Sequence, residues 1–296
     1  MEIIDAQVHI VGPRDSSEWP WDPSFGTAWG NLSPERAAKI AAHDSVVDGD
    51  AMIAAMDAVG VDAAILVATS HYGWDDGYSV AAANRYPGRF GVVGRIDPDC
   101  DDVEDQVAQW RNNPVALGLR VLMVSPTQRE RLAAGNHDRL LRAAETEGVP
   151  VCINISGALP ALAPVADRFP DLQFVIDHVG MKQPPLQDAD PDRFERLPEL
   201  LALAGRPNIS VKLTGAPTLS MEGFPFADIW PALHRIIDAY GIERLMWGSD
   251  WTRITGVVTY AESVRYITET DELGPEEKWL MLGANLRRIF KWQLLV

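Results

Sequence analysis

Eight short apolar runs recur along the chain, with longer amphipathic stretches between them. That alternation constrains the fold more than any single motif does. The runs are Ile3–His9, Asp62–Ala68, Phe90–Ile96, Ala116–Val121, Val149–Ile155, Gln173–Asp177, Ile209–Leu213 and Arg244–Gly248. Helical periodicity occupies 51–59, 78–86, 101–112, 136–147, 158–169, 194–205, 226–240 and 258–270. Parallel strands need crossover connections, and helices usually supply them. Eight such units predict an α/β chain folded as a (β/α)8 barrel of TIM type, one domain over 1–296. A doubly wound sheet is the alternative. The glycine-rich turn of a dinucleotide fold is missing after Ile3–His9, which counts against it.

The punctuation fits this reading. Asp48 or Asp50 can N-cap the first crossover helix, and Gly60 can end it. Ser33-Pro34 starts a short helix, Gly148 and Gly241 close others, and Pro275–Trp292 reads as an extra C-terminal helix. Two connections are long, Val11 to Gly49 and Thr214 to Pro225. The first carries Trp19, Trp21, Phe25 and Trp29, which suit either an aromatic lid on a pocket or a plug or subunit contact.

Composition narrows the partners. The chain has 296 residues, is 47% hydrophobic and carries a net charge of −16, so a large core is available and the surface is acidic. Such a surface argues against nucleic acid or an anionic membrane as the main partner. It leaves room for an anionic small molecule in a locally basic pocket. The two cysteines, Cys100 and Cys152, form no disulfide framework, and Cys152 reads as a core thiol. No basic segment followed by an apolar stretch opens the chain, and no apolar run is long enough to span a bilayer. A soluble cytoplasmic protein is expected, and a homo-oligomer is compatible with it.

In a helix-wrapped barrel, chemistry gathers at the C-terminal ends of the strands. The first run ends in Gln7 and His9, the fourth in Arg120, and the fifth in Cys152 and Asn154. The sixth ends in Asp177 and His178, the seventh in Lys212, and the eighth in Asp250. Each has an ordinary explanation alone: a structural histidine, a capping aspartate, a lysine reaching solvent. Together they would meet at one rim, where burial without purpose costs on the order of several kcal/mol. The loop "ATSHYGWDDGYS" adds His71 and Tyr72 as substrate contacts, with a plain surface turn as the alternative. Trp251 follows Asp250 and can join an apolar wall, which suits a partly hydrophobic or ring-shaped substrate.

The pieces "IDAQVH", "FPDLQFVIDHVG", "NISVKLTG", "GIERLMWGSDW" and "GANLRRIF" resemble the amidohydrolase superfamily, in the branch of lactonases and some decarboxylases. The resemblance covers nearly the whole chain and implies a distorted (β/α)8 barrel. It implies that His9 is the second histidine of the first-strand HxH, His178 the sixth-strand histidine, and Asp250 the residue that handles the proton of attacking water. Gln7 departs from HxH, and Asn154 stands about where many members have a histidine. Zinc wants about three strong ligands, and only His9, His178 and Asp250 remain. A metal-free site is favoured, as the resemblance permits, and one Zn2+ or another divalent ion on those three is the alternative. The expected function is a lactonase-like hydrolase acting on a lactone or activated carboxylic ester. Asp250, His178 and His9 are catalytic, and Gln7, Arg120, Asn154, Lys212, His71, Tyr72 and Trp251 bind substrate. A metal-dependent non-oxidative decarboxylase and an inactive binding protein are the alternatives.

Overall fold

A computed structural model describes residues 1–23, 46–184 and 192–293. Each apolar run contains a strand: β1 (Ile4–Val8), β2 (Ala63–Val67), β3 (Phe90–Gly94), β4 (Ala116–Leu122), β5 (Val151–Asn154), β6 (Phe174–Ile176), β7 (Ile209–Lys212) and β8 (Leu245–Met246). They form one parallel sheet in chain order with helices between them, a nearly closed TIM barrel. Most of the strands are shorter than the runs. Residues such as His9, Arg95 and Asp177 lie past the ladder and belong to the rim.

The seam between β8 and β1 is made by single bonds. Ala6 N–H donates to Trp247 O at 3.2 Å, and Asp250 N–H donates to Gln7 O at 2.9 Å. The fully buried Asp5 carboxylate adds to the seam by accepting the Ser249 N–H at 2.8 Å and the Ser249 hydroxyl. Burial pushes the Asp5 carboxyl up to about 6, against the lowering effect of the Ser249 donors. The β1–β2 register shifts between Asp5 and Val8, a bulge beside the polar end of β1.

Two apolar layers hold the barrel. Ile65, Val67, Val93, Cys152, Val175 and Met246 share one cluster with Leu286 and Ile289 of the last helix and Phe290 just after it. Leu66, Val92, Leu119, Ile153, Phe174 and Val211 face the crossover helices in the other. Strand side chains alternate, which divides the two sets. Cys152 is a buried core thiol, and burial pushes it up to about 11.

Asp48 caps the helix Gly49–Val59 by accepting the Ala51 N–H, and Gly60 ends it in the left-handed conformation. A helix at Pro126–Ala133 escaped the periodicity reading. It is mostly polar, buries only Leu132, and is announced only by the Ser125–Gln128 capping box. The stretch 194–205 holds only the short helix Leu197–Leu201. The last helix runs from Pro275 through a π-helical turn at Leu280–Ala284 to Ile289. It stops before Trp292, where Lys291 turns left-handed (φ 50).

The long first connection is pinched at its base by two Val11–Val47 backbone bonds of 2.9 and 3.0 Å. Its Trp21 donates to Gly12 O at 3.1 Å and packs 4.5 Å from the His71 ring. Phe25, Trp29 and the expected helix start at Ser33-Pro34 lie outside the described residues. Among the described residues no helix is long and apolar enough to cross a membrane.

Candidate active site

The rim brings together side chains from β1, β4, β6, β7 and the turn after β8. At its centre Asp250 is fully buried. Its Oδ1 lies 3.1 Å from His9 Nε2, and its Oδ2 lies 3.4 Å from His178 Nδ1. Oδ2 also takes the Arg253 Nε–H in a short ion pair. Oδ1 accepts no aligned hydrogen bond among the described residues. Burial alone would raise the Asp250 carboxyl. The Arg253 guanidinium and the two imidazoles reverse that and hold it well below the usual carboxylate range.

Each imidazole is anchored. His9 Nδ1 lies 2.7 Å from the Val67 carbonyl, which can only accept. Nδ1 therefore carries hydrogen, and Nε2 is the atom turned to Asp250. His178 Nε2 lies 3.2 Å from the Gln7 amide nitrogen, and its Nδ1 lies 3.1 Å from Thr214 Oγ1. Burial pushes His178 down to about 3, despite the nearby Asp250 charge, so the ring is neutral at neutral pH.

The backbone under these groups is unusual. His178, Val179 and Asp250 have φ of 57°, 58° and 56°, a region that costs non-glycine residues energy, a β-branched valine most of all. Both histidine and aspartate are thus held at sharp corners where β6 and β8 end. Gly215 permits the neighbouring packing: a Cβ there would meet Arg253 Nη2 and Gln183 Oε1 at 2.4 Å.

Below this layer lies a buried charge cluster. Lys212, fully buried, stands 3.1 Å from Asp177 Oδ1 and donates to Gln7 Oε1 at 3.2 Å. Arg120 Nε donates to Asp177 Oδ2 at 3.2 Å. Burial would raise Asp177, but the Lys212 and Arg120 charges bring it down to about 2. Burial would likewise lower Lys212, and the Asp177 carboxylate outweighs it, so the ammonium is raised. The pair is charged on both sides.

Arg120 also lines a cavity of about 140 Å³ with Arg95, Trp74 and His137. Arg95 is nearly buried, lies 4.4 Å over the Trp74 ring, and has an Nε without a partner among the described residues. Burial and the Arg120 charge bring Arg95 down to about 10, still a cation at neutral pH.

The remaining expected residues sit at the edges. Asn154 accepts the Ser156 hydroxyl at 3.1 Å. Tyr72 is buried, and its hydroxyl accepts the Gly12 N–H at 2.7 Å, so it ties the first connection to the second. His71 packs on Trp21 in the same cap. Trp251 stacks on Tyr260 with ring centroids 5.3 Å apart. Sequence reasoning missed Arg253, Thr214 and the cavity arginine Arg95. The signal for Arg253 was its place three residues after Asp250, one helical turn away.

A metal here would draw on His9, His178 and Asp250. The His178 ring nitrogens face Gln7 and Thr214, and one Asp250 oxygen faces Arg253. Among the described residues no group of three His, Cys, Asp or Glu is arranged to hold a metal ion.

Comparison with known proteins agrees with this architecture. The 4-sulfomuconolactone hydrolase of Hydrogenophaga intermedia is 28% identical over 199 residues, 66% of this chain and 62% of that relative, so the match spans less than two thirds of its length. The L-fucono-1,5-lactonase of Burkholderia ambifaria is 25% identical over 78% of this chain and 81% of its own. A crystal structure of an amidohydrolase from Burkholderia multivorans superposes with a TM-score of 0.81 at 21% identity, covering 99% of this chain and 100% of that one. A second crystal form from that organism holds bound zinc. The family model described as Amidohydrolase matches residues 4–292. The chain therefore belongs to the amidohydrolase family.

Proposed function

We propose that this amidohydrolase hydrolyses a lactone bearing an acidic group, with Asp250 as the base and without a bound metal. One observation carries the reading. Asp250 is fully buried at the rim, its Oδ1 3.1 Å from His9 Nε2 and its Oδ2 held by Arg253, so a buried carboxylate and an imidazole meet where the strands end. Such a pairing is a candidate acid–base site. In the reaction, Oδ1 takes a proton from water as the water oxygen bonds to the lactone carbonyl carbon. The ring C–O bond then breaks, and Asp250 returns the proton to the departing oxygen. His9 Nε2, aimed by Val67, orients the water.

Two further features support the substrate class. A base held at low basicity by Arg253 suits an activated ester better than an amide. The cavity lined by Arg95 and Arg120, with Asp97 and Asp99 on its walls, offers guanidinium groups that suit one carboxylate or sulfonate. The lactone-hydrolysing relatives favour the same class. The metal-free reading rests on the donors: Gln7 offers a neutral amide where a strong ligand would be needed, and His178 and Asp250 are committed to other partners.

The test is a panel of neutral lactones paired with carboxylated or sulfonated ones, assayed before and after chelation. Ring opening of the acidic members, unchanged by chelator, is expected. Asp250→Asn should lower turnover by about a hundredfold or more while the folded spectrum is kept. Near-normal turnover in that variant removes the base. Zinc-restored activity after chelation removes the metal-free reading. Release of CO2 from aromatic acids, with every lactone untouched, points instead to a decarboxylase.

A further inference from the structure

Gln7 lies next to the end of β1, two residues before His9, and its amide is not free to choose its orientation. Lys212 is a donor only, and its Nζ lies 3.2 Å from one terminal atom of Gln7. That atom must be the carbonyl oxygen. The amide nitrogen therefore faces the other way, 3.2 Å from His178 Nε2. Lys212 is in turn fixed, since it is fully buried and stands 3.1 Å from Asp177 Oδ1, whose other oxygen accepts from Arg120.

An amide N–H aimed at an imidazole nitrogen demands a lone pair there. His178 Nε2 must accept, so the ring hydrogen sits on Nδ1. The far side of the ring agrees independently. Asp250 Oδ2 lies 3.4 Å from Nδ1, and a carboxylate only accepts. Thr214 Oγ1, 3.1 Å from Nδ1, already accepts the His178 backbone N–H at 3.0 Å and can accept a second hydrogen.

We infer that Gln7 is a positioning residue: oriented by Lys212, its amide holds His178 in the Nδ1–H tautomer and so directs that hydrogen at Asp250. The chain Arg120–Asp177–Lys212–Gln7–His178–Asp250 thus crosses the barrel from β4 to β8 with every donor direction determined. Gln7 also occupies the Nε2 lone pair, the one atom of His178 that would otherwise be open to a cation. The catalytic consequence rests on the lactone-hydrolase reading; the tautomer does not.

The experiment is a two-bond proton–nitrogen NMR correlation on protein labelled with nitrogen-15 histidine, with His178 assigned by loss of its signals in His178→Asn. The wild-type spectrum should show hydrogen on Nδ1 and none on Nε2. Gln7→Glu removes the amide hydrogen and leaves only acceptors, so the ring must then place hydrogen on Nε2. On a hydrolysed lactone the same variant should lower kcat by about tenfold or more, with KM moved by less than about threefold. A wild-type ring protonated on Nε2 overturns the inference. So does a folded Gln7→Glu protein with the Nδ1–H pattern unchanged. If Gln7→Glu does not fold, the wild-type spectrum decides alone. Wild-type protein that shows Nδ1–H but opens no lactone leaves the inference standing and rejects the hydrolase reading.

Discussion

Asp250 is placed where it is strongly charged and therefore weakly basic, and Arg253 is the main reason. Its guanidinium is the largest of the influences that overcome burial. Arg253→Gln should raise the carboxyl and shift the acid limb of the kcat/KM profile to higher pH by about 1–3 units. A limb that stays put means Arg253 does not set the base. At this scale the sequence was partly readable. His9, His178 and Asp250 stood out because each ends an apolar run, and strand ends become the rim. Arg253 did not, because a basic residue one turn after an aspartate reads as a surface pair. Lys212 reads from sequence as a rim cation. It is instead fully buried, and its charge is spent on Asp177 and Gln7.

That charge cluster links β4 to β6 and β7, where the ladders join β4 to β6 only through β5. Arg120 comes from β4, Asp177 follows β6, and Lys212 ends β7. Lys212→Met would leave a buried carboxylate with one partner fewer. Breaking a buried pair from one side costs about 3–5 kcal/mol, so urea unfolding should show a loss on that order. A loss below about 1 kcal/mol would mean that Arg120 alone satisfies Asp177. The strands were legible because short apolar runs bounded by polar residues have few other solutions. The helix Pro126–Ala133 was not, because it buries little beyond Leu132 and so carries no strong periodic signal. The aromatic cap was legible as a feature, but its contacts with His71 and Tyr72 arise only in three dimensions.

Buried groups pull the pH dependence of the whole molecule in both directions. His178 is lowered from 6.5 to about 3, so it favours the folded state above pH 6.5 and loses that advantage as pH falls toward 3. Asp177 is lowered from 3.8 to about 2, so its contribution is present above pH 3.8 and lost as pH falls through 2. Asp5 works in the opposite direction. Raised from 3.8 to about 6, it favours the folded state below pH 3.8, and that advantage is lost as pH rises through 6. Asp76, raised from 3.8 to about 7 by burial, acts in the same sense as Asp5 and offsets much of the His178 loss. In Asp5→Asn one of the two opposing contributions is gone, so the urea midpoint should drop more steeply from pH 6 to 4 than in the wild type. A shallower curve in that variant would contradict the assignment. The β8–β1 seam has a further consequence, for the order in which function appears. His9 comes from the first strand and Asp250 from beyond the last, and they meet only when Asp250 N–H reaches the Gln7 carbonyl and Ser249 reaches Asp5. If Asp250 is the base, a barrel still missing its final staves is inactive, and activity arrives only at closure.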